Sequence, residues 1–290
     1  MAATNESSTN NVLAQLESHW DSNRFLCVGL DPVLPDDFER TGEYDGAAQQ
    51  LILQSIDIVR ATHHIAAAYK PNSAFFEAEP GGYDLQRDLI EAVHEFAPSV
   101  PVIWDAKRGD IGKTNRGYRS AADRLHPQGM TLHPYLGAEA LKPLLEDPDR
   151  MAFILAKTSN PGAGEFQDVE GKDGRKLWER VAWQIGHDEG WNQGSPLGIV
   201  VGATYPDDIG RARKLAGDNI TILIPGVGTQ GGDLEKSVQN AKNSRGGGFL
   251  INVSSGISQP KDESGEPLPV NGATIREAAE KFDMQIVRAL

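Results

Sequence analysis

Short apolar runs alternate with amphipathic stretches along the chain. Eight of these runs predict strands, and most are near-continuous in hydrophobicity, which is typical of parallel strands covered on both faces. The predicted strands are 25–31, 65–70, 100–107, 129–134, 151–157, 197–203, 220–226 and 248–254. Helical patterns lie between them at 84–96, 115–125, 176–188 and 206–216, and a last helix covers 273–290. Strands and helices alternating over 290 residues predict an α/β fold, a single-domain parallel eight-stranded (β/α)8 TIM barrel, with a doubly wound open sheet as the alternative.

The chain ends and the longer connections carry further local signals. The polar residues 1–10 predict a disordered tail, and residues 11–290 are expected to form one barrel catalytic domain. The amphipathic segment 11–20 is expected to cover the bottom of the barrel. Thr274 and Glu277 have the spacing of a capping box at the start of the last helix. Two Gly-rich, polar segments predict mobile surface loops, at 160–174 and 258–272.

The charge balance narrows the class of partner. The formal net charge is −13, whereas nucleic acids and anionic membrane surfaces attract proteins with excess Lys and Arg, so neither partner is expected. No apolar run approaches the ~20 residues of a membrane span, and the first residues lack the layout of a signal peptide. The one cysteine, Cys27, lies in an apolar run and is expected to be a buried, inert thiol. A lone cysteine fits a reducing compartment, which predicts a cytoplasmic protein. The negative net charge stays compatible with a small anionic substrate.

Ionisable residues gather where the predicted strands end, most densely in the stretch WDAKRGDIGKTNRG. The carboxyl ends of the strands form the functional face of a barrel, and here they carry Asp31, Lys70 and Asp105. Asp105 and Lys107 are two residues apart, so on a strand they point to the same side within ion-pair reach. Lys70 must reach solvent or pair with a carboxylate. Asp110 follows a glycine and is expected to face away from the Asp105–Lys107 pair. A buried ion pair is weak evidence for stability, so we interpret this cluster as functional.

A glycine-rich sequence, PGVGTQGGD, follows the seventh predicted strand and resembles a phosphate cradle. It has little side-chain bulk and many backbone N–H groups ahead of a helix N-terminus. Barrels commonly bind phosphate with the loops after strands seven and eight. The seven histidines show no metal-ligand spacing, and His133 at a strand end is interpreted as structural. The chain contains neither a Ser-centred nucleophile elbow nor a dinucleotide fingerprint, so we expect no metal and no organic cofactor.

Together these motifs resemble the orotidine 5′-phosphate decarboxylase family in its longer bacterial form. The Asp-x-Lys-x-x-Asp stretch of that family stands here as Asp105, Lys107 and Asp110, followed by Ile111 and Thr114. The sequences CVGLDP, YKPNSAFFE, KTSNPG and PGVGTQGGD match in the same order, and the resemblance runs from about residue 25 to 257. It implies cofactor-independent decarboxylation of orotidine 5′-monophosphate to UMP and CO2, in de novo pyrimidine biosynthesis, by a homodimer.

The resemblance also implies roles for individual residues. It places Asp105 against the substrate carboxylate and makes Lys107 the group that protonates a C6 carbanion as CO2 leaves. It further implies that Asp110, Ile111 and Thr114 reach into the active site of the neighbouring subunit. It further implies that Asp31 and Lys70 contact the ribose hydroxyls and that Ser159 contacts the pyrimidine amide edge. Gly228 and Gln230 are implied to contact the phosphate.

One position departs from the family pattern. Where the family has an arginine that grips the phosphate, this chain has Ser255, which offers one neutral hydrogen bond instead of a bidentate, charge-assisted contact. Three explanations stay open at this point. Arg245 could supply the cation, the backbone amides of 228–232 and Gly256 could suffice, or phosphate affinity could be weak and KM correspondingly raised.

Two other functions also stay open. A magnesium-dependent phosphosugar decarboxylase or hexulose-phosphate synthase shares the Asp-x-Lys-x-x-Asp motif, but it needs a carboxylate ligand near strand two, where this chain has Lys70 and Asn72. A non-catalytic barrel that binds a phosphoribosyl ligand fits the missing arginine. Such a binding protein is not expected to retain Asp105, Lys107 and Asp110 together.

Overall fold

Eight parallel strands form one sheet that nearly closes into a barrel. They are β1 Leu26–Leu30, β2 Ala66–Pro71, β3 Ile103–Arg108, β4 Gly129–Leu132, β5 Met151–Lys157, β6 Leu197–Val201, β7 Thr221–Ile224 and β8 Phe249–Val253. Their spatial order is β2-β1-β8-β7-β6-β5-β4-β3. Two parallel bridges, Tyr69–Val102 and Asn72–Asp105, bring β2 and β3 together at the seam. The predicted parallel (β/α)8 barrel is confirmed.

The structure, a computed structural model, describes residues 11–34, 45–227 and 233–290. The predicted tail at 1–10 therefore lies outside the described residues. All eight predicted strands are present, with ends shifted by at most three residues. The largest shift is at β3, which starts at Ile103 instead of residue 100 because Pro101 has no N–H to donate to a ladder.

Helices follow the strands around the outside of the barrel. In the described residues they are α1 Val12–Asp21, α2 Asp45–Thr62, α3 Ser73–Glu77, α4 Gly82–Phe96, α5 Gly112–Leu125, α6 Gly137–Leu145, α7 Gly164–Gln167, α8 Leu177–His187, α9 Pro206–Ala216, α10 Leu234–Ala241, α11 Ser255–Ser258 and α12 Gly272–Ala289. Every helix expected from the sequence is present. Within the described ranges, no helix is both long and apolar enough to cross a membrane.

The amino-terminal helix α1 covers the bottom of the barrel, as its amphipathic pattern predicts. It buries Val12, Leu16 and Trp20 on one face. The side chain of Trp20 packs against Gly247, just before β8, and His19 Nε2 lies 2.8 Å from the carbonyl oxygen of Ser99, just before β3. Both partners precede strands, so α1 lies at the end of the barrel opposite the strand termini that carry charge.

One local prediction, the position of the α12 cap, was wrong. The N-cap of α12 is Asn271, whose side chain accepts from the N–H of Ala273 and of Thr274; Thr274 is the third helical residue, and its Oγ1 accepts from the N–H of Asn271. The side-chain cap therefore lies three residues earlier than predicted. The segment 160–174, predicted to be a surface loop, contains a 3₁₀ turn at 161–163 and the short helix α7. An antiparallel bridge between Glu170 and Lys176 closes it.

Candidate active site

The carboxyl ends of the strands surround a cavity of about 540 Å³. This volume falls within the range of small-ligand sites. Its polar side chains come from the strands β1 to β5 and β8 or from the residues just after them, whereas β6 and β7 contribute only apolar residues and a glycine. The lining residues are Asp31, Lys70, Asn72, Asp105, Lys107, Thr131, Leu155, Thr158, Ser159, Asn160, Val200, Leu223, Pro225, Gly226, Val227, Asn252, Ser254 and Ser255.

Asp105 on β3 is the centre of a charged row in this cavity. Lys70 Nζ lies 2.7 Å from its Oδ2, and Lys107 Nζ lies 2.7 Å from its Oδ1. The hydroxyl of Thr131 donates a third hydrogen bond, of 2.9 Å, to Oδ1. The predicted Asp105–Lys107 contact is confirmed, and Lys70 takes a carboxylate partner as its buried position requires.

Opposite charges keep this row ionised despite burial. Burial alone would raise the pKa of Asp105, but Lys70 and Lys107 outweigh it and hold the pKa far below its usual range. Burial would lower the pKa of Lys70, but the negative charges of Asp105 and Asp31 raise it above the ordinary lysine value. At neutral pH the cavity therefore presents the Asp105 carboxylate paired with the Lys70 ammonium.

The backbone at Lys107 is unusual. Its φ is +48°, in the left-handed region that non-glycine residues rarely adopt. The hydroxyl of Thr131 accepts from the Lys107 N–H at 2.9 Å, and the β3–β4 register shifts between Trp104 and Arg108. The side chain of Lys107 is half-exposed in the cavity, whereas that of Lys70 is buried. Lys107 is thus the more accessible of the two lysines that line the cavity.

Other predicted substrate-binding residues also line the cavity. Asp31, Ser159 and Ser255 contribute to its wall, on the ends of β1, β5 and β8. Asp31 Oδ1 is buried and has no hydrogen-bond partner among the described residues, so it is an acceptor that a ligand hydroxyl could use. Gly228 and Gln230 lie outside the described residues.

Asp110, Ile111 and Thr114 do not line this cavity. The Oδ1 of Asp110 accepts from the N–H of Ile111 at 2.7 Å, and its own N–H donates to Asn115 Oδ1. Ile111 and Thr114 are exposed to solvent. The prediction that Asp110 faces away from the Asp105–Lys107 pair is therefore confirmed.

Arg245 is excluded as the replacement for the missing phosphate cation. It lies in the turn before β8, at the bottom of the barrel, and its guanidinium pairs with Glu17 of α1 at 3.0 Å. The two remaining explanations are contacts from backbone amides and a weaker phosphate site. At the ends of β7 and β8, the described residues that line the cavity are all uncharged.

Two other side chains have the structural roles expected for them. His133 Nε2 lies 2.9 Å from the Gly109 carbonyl oxygen, and a Cβ on Gly109 would meet the imidazole at 2.7 Å, so His133 packs under the turn after β3. Cys27 is buried, and burial raises the pKa of its thiol to about 12. Neither residue lines the cavity.

Sequence reasoning missed several residues that line the cavity, notably Thr131 and Asn252. A usable signal was present in both cases, because each is a polar residue inside an otherwise apolar strand. Thr131 contacts both Asp105 and the Lys107 backbone. Asn252 donates to the carbonyl oxygen of Cys27 at 3.0 Å and joins β8 to β1.

A parallel eight-stranded barrel with two lysines and a carboxylate at its strand ends belongs to the TIM-barrel class of enzymes. The model of the orotidine 5′-phosphate decarboxylase / HUMPS family matches residues 24–266. The orotidine 5′-phosphate decarboxylase of Cupriavidus necator is 40% identical over 253 residues, 86% of this chain and 90% of that protein. That of Dechloromonas aromatica is 39% identical over 245 residues, 84% of this chain and 88% of that protein. The chain belongs to the orotidine 5′-phosphate decarboxylase / HUMPS family.

Solved structures agree with this placement. The OMP decarboxylase of Leishmania donovani is 33% identical with a TM-score of 0.79, and the match covers 96% of this chain and 98% of that chain. The UMP synthase of the same organism is 35% identical with a TM-score of 0.80, over 94% of this chain. The match spans only 55% of the UMP synthase chain.

Proposed function

We propose that Lys107 supplies the proton when this chain decarboxylates orotidine 5′-monophosphate to UMP, a step of pyrimidine biosynthesis. The bond from C6 to the carboxylate breaks, CO2 leaves, and the electron pair stays on C6. The ammonium of Lys107 then gives its proton to C6 and forms the new C–H bond. The observation that carries the proposal is the row Lys70–Asp105–Lys107, in which both lysines line the cavity and Lys107 is the more exposed of the two.

The chemistry suits a fixed ammonium. The pyrimidine ring delocalises an electron pair in the plane of C6 poorly, so a nearby positive charge must stabilise it. The contact with Asp105 at 2.7 Å holds Lys107 in place before the reaction begins. No metal and no organic cofactor enter this mechanism. We propose that the substrate carboxylate lies against Asp105, so that loss of CO2 removes a negative charge from the neighbourhood of Asp105.

The rest of the cavity is assigned to substrate binding. We propose that Asp31 and Lys70 bind the ribose hydroxyls, and the buried, unpartnered Oδ1 of Asp31 supports this. Ser159 would contact the pyrimidine amide edge. Three residues at the ends of β7 and β8 would surround the phosphate: Gly228, Gln230 and Ser255.

We propose that the active unit is a homodimer with shared sites, in which Asp110, Ile111 and Thr114 serve the partner's cavity. Apolar exposure beside them supports this arrangement, because Ile111 is 61% and Tyr135 65% exposed. We further propose that residues 11–290 form one catalytic domain that acts in the cytoplasm on a small nucleotide. The net charge of −13 disfavours nucleic acid as a partner.

The decisive experiment is a spectrophotometric assay of the purified protein with orotidine 5′-monophosphate, with and without EDTA. We expect turnover that EDTA does not change. Activity that disappears with EDTA would favour the metal-dependent phosphosugar branch of the family. Correctly folded protein that binds UMP without turnover would favour a non-catalytic binding barrel.

A further inference from the structure

A second buried lysine lies close to the cavity but does not line it. Lys157, the last residue of β5, has only 1% of its side chain exposed. Burying an ammonium is costly unless it is paired, and an apolar side chain of similar volume would often be at least as stabilising. The mechanism above does not use this residue, so its burial needs another physical reason.

Lys157 reaches across to the far end of the segment that follows it. Its Nζ lies 2.7 Å from Asp168 Oδ1 and 4.8 Å from the ring centroid of Tyr205. The contact with Lys157 lowers the pKa of Asp168, so that carboxyl group is ionised at neutral pH. The β5–β6 register shifts between Leu155 and Lys157, and such an irregularity re-aims the side chains around it.

The segment between these two residues carries part of the cavity wall. Thr158, Ser159 and Asn160 all line the cavity. The side chain of Gln167 closes the same segment from its other end: Oε1 accepts from the N–H of Thr158 at 2.9 Å, and Nε2 donates to the Thr158 hydroxyl at 2.8 Å. The chain from 158 to 168 is therefore a closed loop, tied at its base by two adjacent pairs.

The loop also rests on the neighbouring strand. The N–H of Gly202 donates to the Lys157 carbonyl oxygen at 2.8 Å. A Cβ on Gly202 would lie 2.8 Å from the Cα of Ser159, so the Ser159 backbone packs directly against this glycine. A shift of the Lys157–Asp168 tie would therefore move Ser159 relative to the cavity.

We propose that Lys157 is a positioning residue, which through Asp168 fixes the loop 158–168 so that Ser159 meets the pyrimidine ring. Lys157 itself touches no substrate atom. The inference rests on the proposed contact of Ser159 with the pyrimidine. In this proposal the Lys157–Asp168 ion pair serves recognition of the pyrimidine base, and not binding of the ribose or the phosphate.

The test compares ligands with and without a base. In Lys157→Met, we expect the inhibition constant of UMP to rise about tenfold while that of ribose 5-phosphate stays within about twofold. We expect kcat/KM for orotidine 5′-monophosphate to fall by about the same factor as UMP affinity. Lys172→Met is the matched control, because Lys172 is exposed and lies four residues beyond the loop. Equal losses for both ligands, or a lower melting temperature with unchanged constants, would overturn the proposal.

A second variant guards against misfolding of Lys157→Met. Asp168→Asn removes the charge but keeps an oxygen that can accept from Lys157, and it lies at a half-buried position. We expect the same selective loss for UMP, smaller in size, and no additional loss when both substitutions are combined. Losses that add would mean that the two residues act separately. Turnover by the wild-type protein tests the proposed decarboxylation separately. An absent reaction can therefore be distinguished from an absent effect of the Lys157–Asp168 ion pair.

Discussion

Each carboxylate oxygen of Asp105 is occupied by a different lysine, and this fixes the roles of the two lysines. Oδ2 contacts Lys70, which is almost fully buried, and Oδ1 contacts Lys107, which is half-exposed. The hydroxyl of Thr131 fills a remaining acceptor site on Oδ1. With both oxygens taken by lysines, Asp105 is poorly placed to ligate a metal ion and well placed to hold an ammonium still.

The substitution Lys107→Ala should abolish turnover. We expect kcat to fall by roughly 10³-fold or more, because the variant loses both the charge that stabilises C6 and the proton donor. UMP should still bind, since the other polar residues of the cavity remain, and calorimetric titration would measure this. Lys142→Ala on α6 is the control, because that lysine is exposed and pairs only with Glu146 among the described residues. A kcat near wild type would show that another group donates the proton.

The substitution Asp105→Asn should destabilise the fold in a pH-dependent way. It leaves the buried Lys70 without its main counter-charge, which costs about 3–5 kcal/mol of unfolding free energy. The folded protein lowers the pKa of Asp105, so the charge contributes fully above the unfolded value of about 3.9. The contribution of the Asp105 charge to the free energy of unfolding is lost as the pH falls through the pKa of Asp105 in the folded protein, which is lower than the unfolded value.

Urea unfolding at several pH values would check this. The gap between wild type and Asp105→Asn should be constant from about pH 8 to pH 5 and should narrow below about pH 4. Asp84→Asn on α4 is the control, because that carboxylate is exposed and pairs with an exposed arginine. A gap that widened on acidification would contradict the assignment of the charged form to the folded state.

At the scale of elements, the ends of β7 and β8 form a neutral part of an otherwise charged rim. Pro225, Gly226 and Val227 after β7 and Ser254 and Ser255 after β8 line the cavity without a charge. The chain from 228 to 232 reads GTQGG and adds no ionisable side chain. A phosphate bound here would depend on neutral donors from the described part of this wall.

Restoring a cation at this wall should strengthen substrate binding. In Ser255→Arg we expect KM for orotidine 5′-monophosphate to fall about tenfold, because a guanidinium adds a charge-assisted, bidentate contact to phosphate. Steady-state kinetics would measure KM and kcat separately. Ser258→Arg places the same charge at the other end of α11 and is expected to leave KM near wild type. An unchanged or higher KM in Ser255→Arg would mean that the phosphate does not sit beside this residue.

At the scale of the whole molecule, the turns after β3 and β4 present an apolar surface next to the site. The side chain of Asn115 links the turn after β3 to helix α6, because its Nδ2 donates to the carbonyl oxygens of Asp110 and of Ala140. Ile111 and Tyr135 stand exposed beside this link. A symmetric pairing of two copies through this surface would bury both residues and carry Asp110 towards the partner's cavity.

Shared sites predict complementation between inactive subunits. A dimer of one Lys107→Ala chain and one Asp110→Ala chain would have one intact site, which combines Lys107 of the second chain with Asp110 of the first. Random reassociation of equal amounts should therefore recover about a quarter of wild-type activity, since half of the dimers would be mixed. Native mass spectrometry would verify the mixed dimers. Mixed dimers without activity would show that Asp110 serves its own subunit.

Much of this organisation was predictable from local patterns. The alternation of buried strands with amphipathic helices predicted the barrel, and the two-residue spacing of Asp105 and Lys107 predicted their contact. The position of the α12 cap was not predictable from Thr274 and Glu277 alone, because Asn271 also offers a capping oxygen three residues earlier. Arg245 shows a different limit, since a residue close to β8 in sequence lies at its opposite end in space.

The sequence by itself determined the strands, their parallel barrel and the charged motif, because these depend on periodicity and spacing within short segments. Only the tertiary structure decided which charges from distant parts of the chain meet. Lys70 and Asp105 lie 35 residues apart and pair because β2 and β3 close the barrel seam. Lys157 reads as the polar end of an apolar run in the sequence, yet the fold buries it against Asp168 and Tyr205. Contacts of this kind depend on how strands and loops from distant parts of the chain pack together, and spacing along one segment cannot specify them.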